Sequence, residues 1–121
     1  MGLMEIVLFI KRFMKNTILN KLKPRRYFIK HKGVTAGFIS VVPQENNHSH
    51  ITLISIQSKY RGLGLGGILL KRTIDQEFNK HKIDTIKLQS RPDTKQKFNI
   101  TSWYKRFGFT SIDGNWMILS K

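Results

Sequence analysis

The chain has 121 residues, with 22 Lys and Arg against 7 Asp and Glu, a formal charge of +15 and no cysteine. Without thiols, disulfides, thiolate metal sites and a cysteine nucleophile are excluded, and the composition fits a reducing compartment, the cytoplasm. The charge would attract a polyanion such as nucleic acid, acidic protein or a phosphorylated cofactor, but abundant Lys, Ile and Asn explain it equally well as the composition of an AT-rich genome.

This length suits one domain over residues 1–121, burying roughly two-thirds of the surface that its unfolded form exposes. The stretch LMEIVLFI is too short and, with Glu5, too polar for a membrane span, and it lacks the basic leader and cleavage site of a signal peptide. It reads as a first strand over 4–10. The basic run KRFMKNTILNKLK sets Phe13, Ile18 and Leu22 at rough helical spacing before Pro24.

Three strand-like runs follow, over 26–31, 34–42 and 51–57. The tight His-Lys-Gly turn at 31–33 and the polar loop PQENNHSH at 43–50 suit antiparallel neighbours. A helix after the glycine-rich stretch repeats Leu70, Ile74 and Phe78 on one face. The strand over 84–90 that follows this helix should lie parallel to the strand before it. A second helix is expected over 95–107, then strands over 109–112 and 116–120 around Asp113-Gly114-Asn115. The expected order is β, α, three antiparallel β, α, β, α, β, β.

Residues 57–74 read QSKYRGLGLGGILLKRTI, with Gly62, Gly64, Gly66 and Gly67 just ahead of an apolar helical run. Gly62, Gly64 and Gly67 satisfy G-x-G-x-x-G. A dinucleotide site, however, wants an early βαβ unit and an acid closing the next strand, whereas Asp84 opens it. A nucleotide P-loop fails for want of Gly-Lys-Ser/Thr. A tight turn alone would use one or two glycines. Backbone amides over 61–66 at a helix mouth would instead cradle a pyrophosphate, with Arg61 and Lys59 adding charge.

ISIQSKYRGLGLG resembles the acyl-CoA-binding motif of the GNAT N-acetyltransferase family, Gln/Arg-x-x-Gly-x-Gly/Ala, matched by Arg61, Gly64 and Gly66. SWYKRFGF resembles the family's second signature through Tyr104, Gly108 and Phe109, and AGFISVV its Gly-aromatic strand. The resemblance spans 26–121. It implies an α/β (α+β) acyl-CoA N-acyltransferase fold, a mixed, mostly antiparallel sheet flanked by helices. The N-terminal helical region would be shortened, since fewer than twenty residues lie between the first two strands, and this would leave the acceptor pocket open.

The resemblance further implies an enzyme that moves an acetyl group from acetyl-CoA to a primary amine by direct attack, without metal. Cofactor contacts would come from Ile56, Gln57, Arg61, Gly62, Leu63, Gly64, Leu65, Gly66 and Gly67. The family's asparagine seven residues before the tyrosine is replaced by Lys97, which leaves Asn99 or Ser102 for that contact. A backbone N–H at Ile56 would hold the carbonyl oxygen as it gains charge. Tyr104 would protonate the departing thiolate, whose thiol pKa is near 8.5; its alternative role is packing.

The strand before the glycines has no carboxylate where relatives often place a base. Alternation there puts His50, Thr52 and Ile54 on one face, and His50 is the chosen base, acting through water, with an acidic limb between about pH 6 and 7.5. A solvated histidine, with bulk water removing the proton, is the alternative. The acceptor would be a small molecule or a protein amine, acidic in character if the charge is functional. A membrane is not expected, nucleic acid is not required, and a dimer is compatible with the sequence. Two other readings stand beside this one: a CoA-binding module without turnover, and a basic nucleic-acid-binding domain using Arg25, Arg26, Lys30 and Lys32.

Overall fold

The computed structural model describes residues 23–91 and 98–121. The expected strand over 4–10, nearly all of the expected helix over 11–23 and the start of the helix over 95–107 lie outside the described residues. Among the described residues six strands form one sheet: β1 (Arg25–His31), β2 (Val34–Gln44), β3 (His48–Ile56), β4 (Thr85–Gln89), β5 (Thr110–Asp113) and β6 (Trp116–Ser120). Their spatial order is β1-β2-β3-β4-β6-β5. Only β3 and β4 run parallel; the other neighbours are antiparallel. Two helices accompany them, α1 (Leu65–Asn79) and α2 (Ile100–Lys105).

The β1–β2 and β2–β3 hairpins turn on consecutive left-handed residues, Lys32 and Gly33 in the first and Asn46 and Asn47 in the second. Such pairs match the right-handed twist of the flanking strands, and Asn is one of the few side chains that tolerates the conformation. The polar stretch over 43–50 is therefore not a loop. Pro43 pairs with Ser49 and Gln44 with His48, so only 45–47 form the turn and His50 sits within β3.

The core lies between the sheet and α1, where Leu65, Leu69, Leu70 and Ile74 are buried against Ile29, Ile39, Val41, Ile51 and Ile86. Each such side chain contributes about 1.5–3 kcal/mol by leaving water. Leu70 and Ile74 are buried as expected and Phe78, half-buried, packs against the same core, with Thr73 and Glu77 fully buried beside them. Thr73 satisfies its hydroxyl on the Leu69 carbonyl at 2.8 Å.

Glu77 is fully buried, and its carboxylate is saturated by groups far away in sequence. Arg25 donates to it through Nε (2.9 Å) and Nη2 (2.6 Å), Ser49 Oγ donates at 2.6 Å, and the Tyr27 hydroxyl donates as well. Burial pushes the carboxyl up, but the hydrogen bonds from Arg25, Ser49 and Tyr27 and the Arg25 charge hold it below its usual value. Burial and the same contact raise the Tyr27 phenol, which keeps its proton and remains a donor. This cluster ties the second half of α1 to β1 and β3.

Candidate active site

The N-terminus of α1 is built to stay open. A single 3-10 turn, Ser58–Tyr60, leads from β3 into Arg61–Gly64, all exposed. Gly64 caps the helix at φ 76°, with no side-chain cap and no acid in the first turn. Gly62 is likewise left-handed, at φ 83°. At both glycines a Cβ would meet nothing within 4 Å, so the conformation requires glycine and the space beside it is free. Ile68 N–H makes the first intrahelical bond, to the Gly64 carbonyl at 3.3 Å. The N–H groups of Leu65, Gly66 and Gly67 precede it, with no intrahelical carbonyl to receive them, at the positive end of the helix dipole.

The other two glycines do something different. A Cβ on Gly66 would stand 3.7 Å from Ile56 and 3.8 Å from the Trp103 ring, and one on Gly67 would stand 3.4 Å from Phe107. These positions let the aromatic residues of α2 and its C-terminal turn approach α1 closely. Leu65 is buried and Leu63 exposed, so Leu65 can offer this mouth only its backbone.

Beside it the sheet parts. β3 and β4 are paired only from His48–Thr85 to Ile51–Leu88, and residues 52–56 run on without β4. Ser90 shows why β4 turns away: its N–H donates to the Asn115 carbonyl at 2.7 Å, and its hydroxyl bonds that of Thr101 at 2.7 Å. Those two bonds draw the chain toward the β5–β6 turn and α2.

At the point of parting β3 carries a bulge. Ser40 pairs with Leu53 and Val41 with Ile51, leaving Thr52 as the extra residue. The expected alternation through His50, Thr52 and Ile54 is therefore broken. Ile54, opposite Ile39, shares the core face with Ile51, opposite Val41, while His50 and Leu53 share the outer face.

The backbone phase beyond the bulge follows from one bond, Gln57 N–H to the Ala36 carbonyl at 2.8 Å. Alternation along an antiparallel ladder then aims the N–H groups of Ile54 and Ile56 away from β2, into the gap. Arg61 Nε donates to the Ile56 carbonyl at 3.1 Å, which places that carbonyl on the gap side too. Gln57 belongs to β2 instead, since its side-chain amide also donates to the Thr35 carbonyl at 2.9 Å. Gly37 permits this crowding, because a Cβ there would lie 2.4 Å from the Ser55 carbonyl oxygen.

A cleft of about 300 Å³ occupies the parting. His50, Thr52 and Ile54 of β3, Gln89 and Arg91 at the end of β4, and Ile100 and Tyr104 of α2 line it. Tyr104 is buried and packs edge-on against Trp103 and Phe109. Burial raises its phenol above the usual 10.0, so it holds its proton at neutral pH. His50 packs at a tilt against Trp116, with ring centroids 5.2 Å apart and the planes at 52°. Burial, Lys87 and Arg91 lower its imidazole below the usual 6.5, so it is neutral at pH 7.

The structure thus brings Tyr104, His50 and Ile54 to one cleft, and Ile56, Arg61, Gly62, Leu63, Gly64 and Gly66 to the adjoining helix mouth. Ile54 lines this cleft although nothing in the sequence marks the bulge beside it. Asn99 is the N-cap of α2, its Oδ1 accepting from Ser102 N–H at 3.0 Å, and Ser102 is exposed. No group of three or more His, Cys, Asp or Glu residues able to hold a metal occurs among the described residues, and none of their helices is long and apolar enough to cross a membrane.

A search of the curated proteins finds no match. Solved structures with the same architecture include the ribosomal-protein-S18-alanine N-acetyltransferase of Escherichia coli (TM-score 0.68, 21% identity, 88% of this chain and 75% of that one). The PaiA N-acetyltransferase of Thermoplasma acidophilum, in complex with coenzyme A, is similar at TM-score 0.67 and 19% identity, over 100% of this chain and 80% of that one. A GNAT family acetyltransferase from Elizabethkingia anophelis with acetyl-CoA bound reaches TM-score 0.69 at 17% identity, over 88% of this chain and 83% of that one. The family described as the acetyltransferase (GNAT) domain matches residues 7–116, and the chain belongs to it.

Proposed function

We propose that the protein is an acetyl-CoA-dependent N-acetyltransferase whose acceptor is a primary amine. One observation carries this reading: β3 runs on without β4 from the cleft at Tyr104 toward the N-terminus of α1, with the backbone N–H groups of Ile54 and Ile56 facing the gap. Such a track fits a long, polar thioester cofactor with a pyrophosphate at one end. The free N–H groups of Leu65, Gly66 and Gly67, with Arg61 at the rim, hold the pyrophosphate. The gap-facing backbone of Ile54 and Ile56 holds the extended arm as an added strand would. The cofactor brings the activated acetyl group; the residues position it and move protons.

Ile54 N–H, two residues nearer Tyr104 than Ile56, is the donor placed to stabilise charge growing on the thioester oxygen. Tyr104, protonated at neutral pH, supplies a proton to the sulfur as the C–S bond breaks. The amine attacks from the outer face of the sheet, where neutral His50 accepts the proton that it must lose, directly or through water. The products are an N-acetyl amide and CoA thiol.

Calorimetry with CoA and acetyl-CoA, followed by thiol release with a panel of amines, tests the proposal. Ligand at a hundredfold excess over its dissociation constant would raise stability by about 2.7 kcal/mol. Binding without release for any amine would favour the module without turnover. The nucleic-acid reading weakens on geometry: Arg25 is committed to Glu77, and Arg26 lies over the Phe38 ring at 5.3 Å.

A further inference from the structure

We propose that the acceptor is an amine carrying an oxyanion group, a carboxylate or phosphate, which Lys87 and Arg91 receive at the outer rim of the cleft. This rests on the acetyltransferase reading and adds the chemical class of the second substrate. On the outer face, His50 and Lys87 are register partners on neighbouring strands, and both stand on Trp116, His50 with its ring at 5.2 Å and Lys87 with Nζ 5.4 Å from the centroid. Arg91 lines the cleft itself, its guanidinium donating to Gln89 Oε1 at a long 3.3 Å. Two basic side chains and an aromatic platform thus flank His50.

The cofactor does not account for these cations. The pyrophosphate mouth lies beyond Ile56, and six residues of extended β3 separate it from His50 by about 20 Å. Internal neutralisation does not account for them either. No acid lines the cleft among the described residues; Glu77 is spent on Arg25, and Asp113, opposite Trp116, forms no ion pair with Lys87 or Arg91. Burial and then the charges of Lys87 and Arg91 displace the His50 pKa downward, in keeping with two cations whose field reaches the cleft. An acceptor with a second cationic group would meet them as repulsion. One with an oxyanion would meet the planar fork of Arg91 and the ammonium of Lys87, the pair of groups suited to carboxylate and phosphate.

The test uses the full-length protein saturated with CoA for calorimetry and with acetyl-CoA for turnover. The probes are γ-aminobutyrate, its amide, O-phosphoethanolamine and putrescine, compared at equal free-base concentration. An oxyanion-bearing probe should bind at least tenfold more tightly than the amide and more tightly still than putrescine, with the same order in kcat/KM. Whichever of γ-aminobutyrate and O-phosphoethanolamine leads identifies the oxyanion. Lys87→Met and Arg91→Gln should each bring the ratio of γ-aminobutyrate to its amide toward one, and Lys87→Arg should keep it. Putrescine binding as well as γ-aminobutyrate to CoA-loaded protein, or no preference over the amide, would overturn the assignment while leaving the acetyltransferase reading intact. Failure of the protein to bind CoA at all would overturn both.

Discussion

The two ends of α1 are opposites. Its second half is anchored by Glu77, a buried carboxylate whose partners on β1 and β3 close every route to water. Its first turn has no side-chain cap and no acid, two left-handed glycines precede it, and its first N–H groups have no intrahelical partner. A glycine at the N-cap in place of Ser, Thr, Asp or Asn forgoes only a few tenths of a kcal/mol, but it leaves the first N–H groups without a side-chain acceptor. The comparison teaches that rigidity and availability are divided along one element: long-range polar contacts hold the second half of the helix in place while the N–H groups of its mouth stay without an intrahelical partner.

Breaking the anchored end should have the largest effect. Glu77→Ala leaves Arg25 partly buried without its partner and is expected to cost about 3–5 kcal/mol, read as a lower urea midpoint. Acid should do part of the same work. The folded-state pKa of Glu77 lies below the usual 4.5, so its contribution is complete above that value and is lost as pH falls through the lower, folded one. A Glu77→Ala protein as stable as wild type at pH 7 would show that the cluster is neutral ornament on an apolar core.

The second expectation moves to the cleft. Tyr104→Phe should keep acetyl-CoA affinity and lose about 10²-fold in turnover, roughly 2.7 kcal/mol of transition-state stabilisation. Equal losses in binding and turnover would return Tyr104 to a packing role between Trp103 and Phe109.

At the open end the four glycines should separate into two pairs. Gly64→Val forces a β-branched residue to φ 76° and projects it into the free space at the helix mouth, so CoA affinity should fall about tenfold or more. Gly66→Ala adds a methyl at ordinary contact distance from Ile56 and Trp103 and should change affinity by less than threefold, about 0.65 kcal/mol. Similar losses in both would mean that the whole stretch, not its first half, meets the ligand.

The glycine mouth and the strand order were legible in the sequence because their signals are local: consecutive glycines before an apolar periodic run, and turn residues between alternating ones. The anchor and the bulge were not. Glu77 reads as one more polar residue on a helix, and its partners Arg25 and Ser49 stand 52 and 28 positions away. Arg25 read instead as a surface charge for nucleic acid. Thr52 carries no mark of a bulge, yet that one unpaired residue transfers Ile54 to the core face and parts it from the set read with His50. Pairing across strands decides such matters.

His50 gives the smallest and sharpest test of the open side. Lys87, Arg91 and burial all disfavour its protonation, so the acidic limb of turnover should fall below pH 6.5, not across the window of about 6 to 7.5 expected from an unperturbed imidazole. The two cations also make the limb dependent on salt: screening should let the apparent pKa climb back toward 6.5 as ionic strength rises. His50→Ala should remove the limb, with a loss at pH 7.5 of less than about tenfold, since water can take the amine's proton on an exposed face. Lys87→Met in an otherwise intact enzyme should raise the limb by taking away one of the charges that hold it down. A limb that stays in place in both variants would show that the group titrating in wild type is not His50, and would leave the proton to solvent.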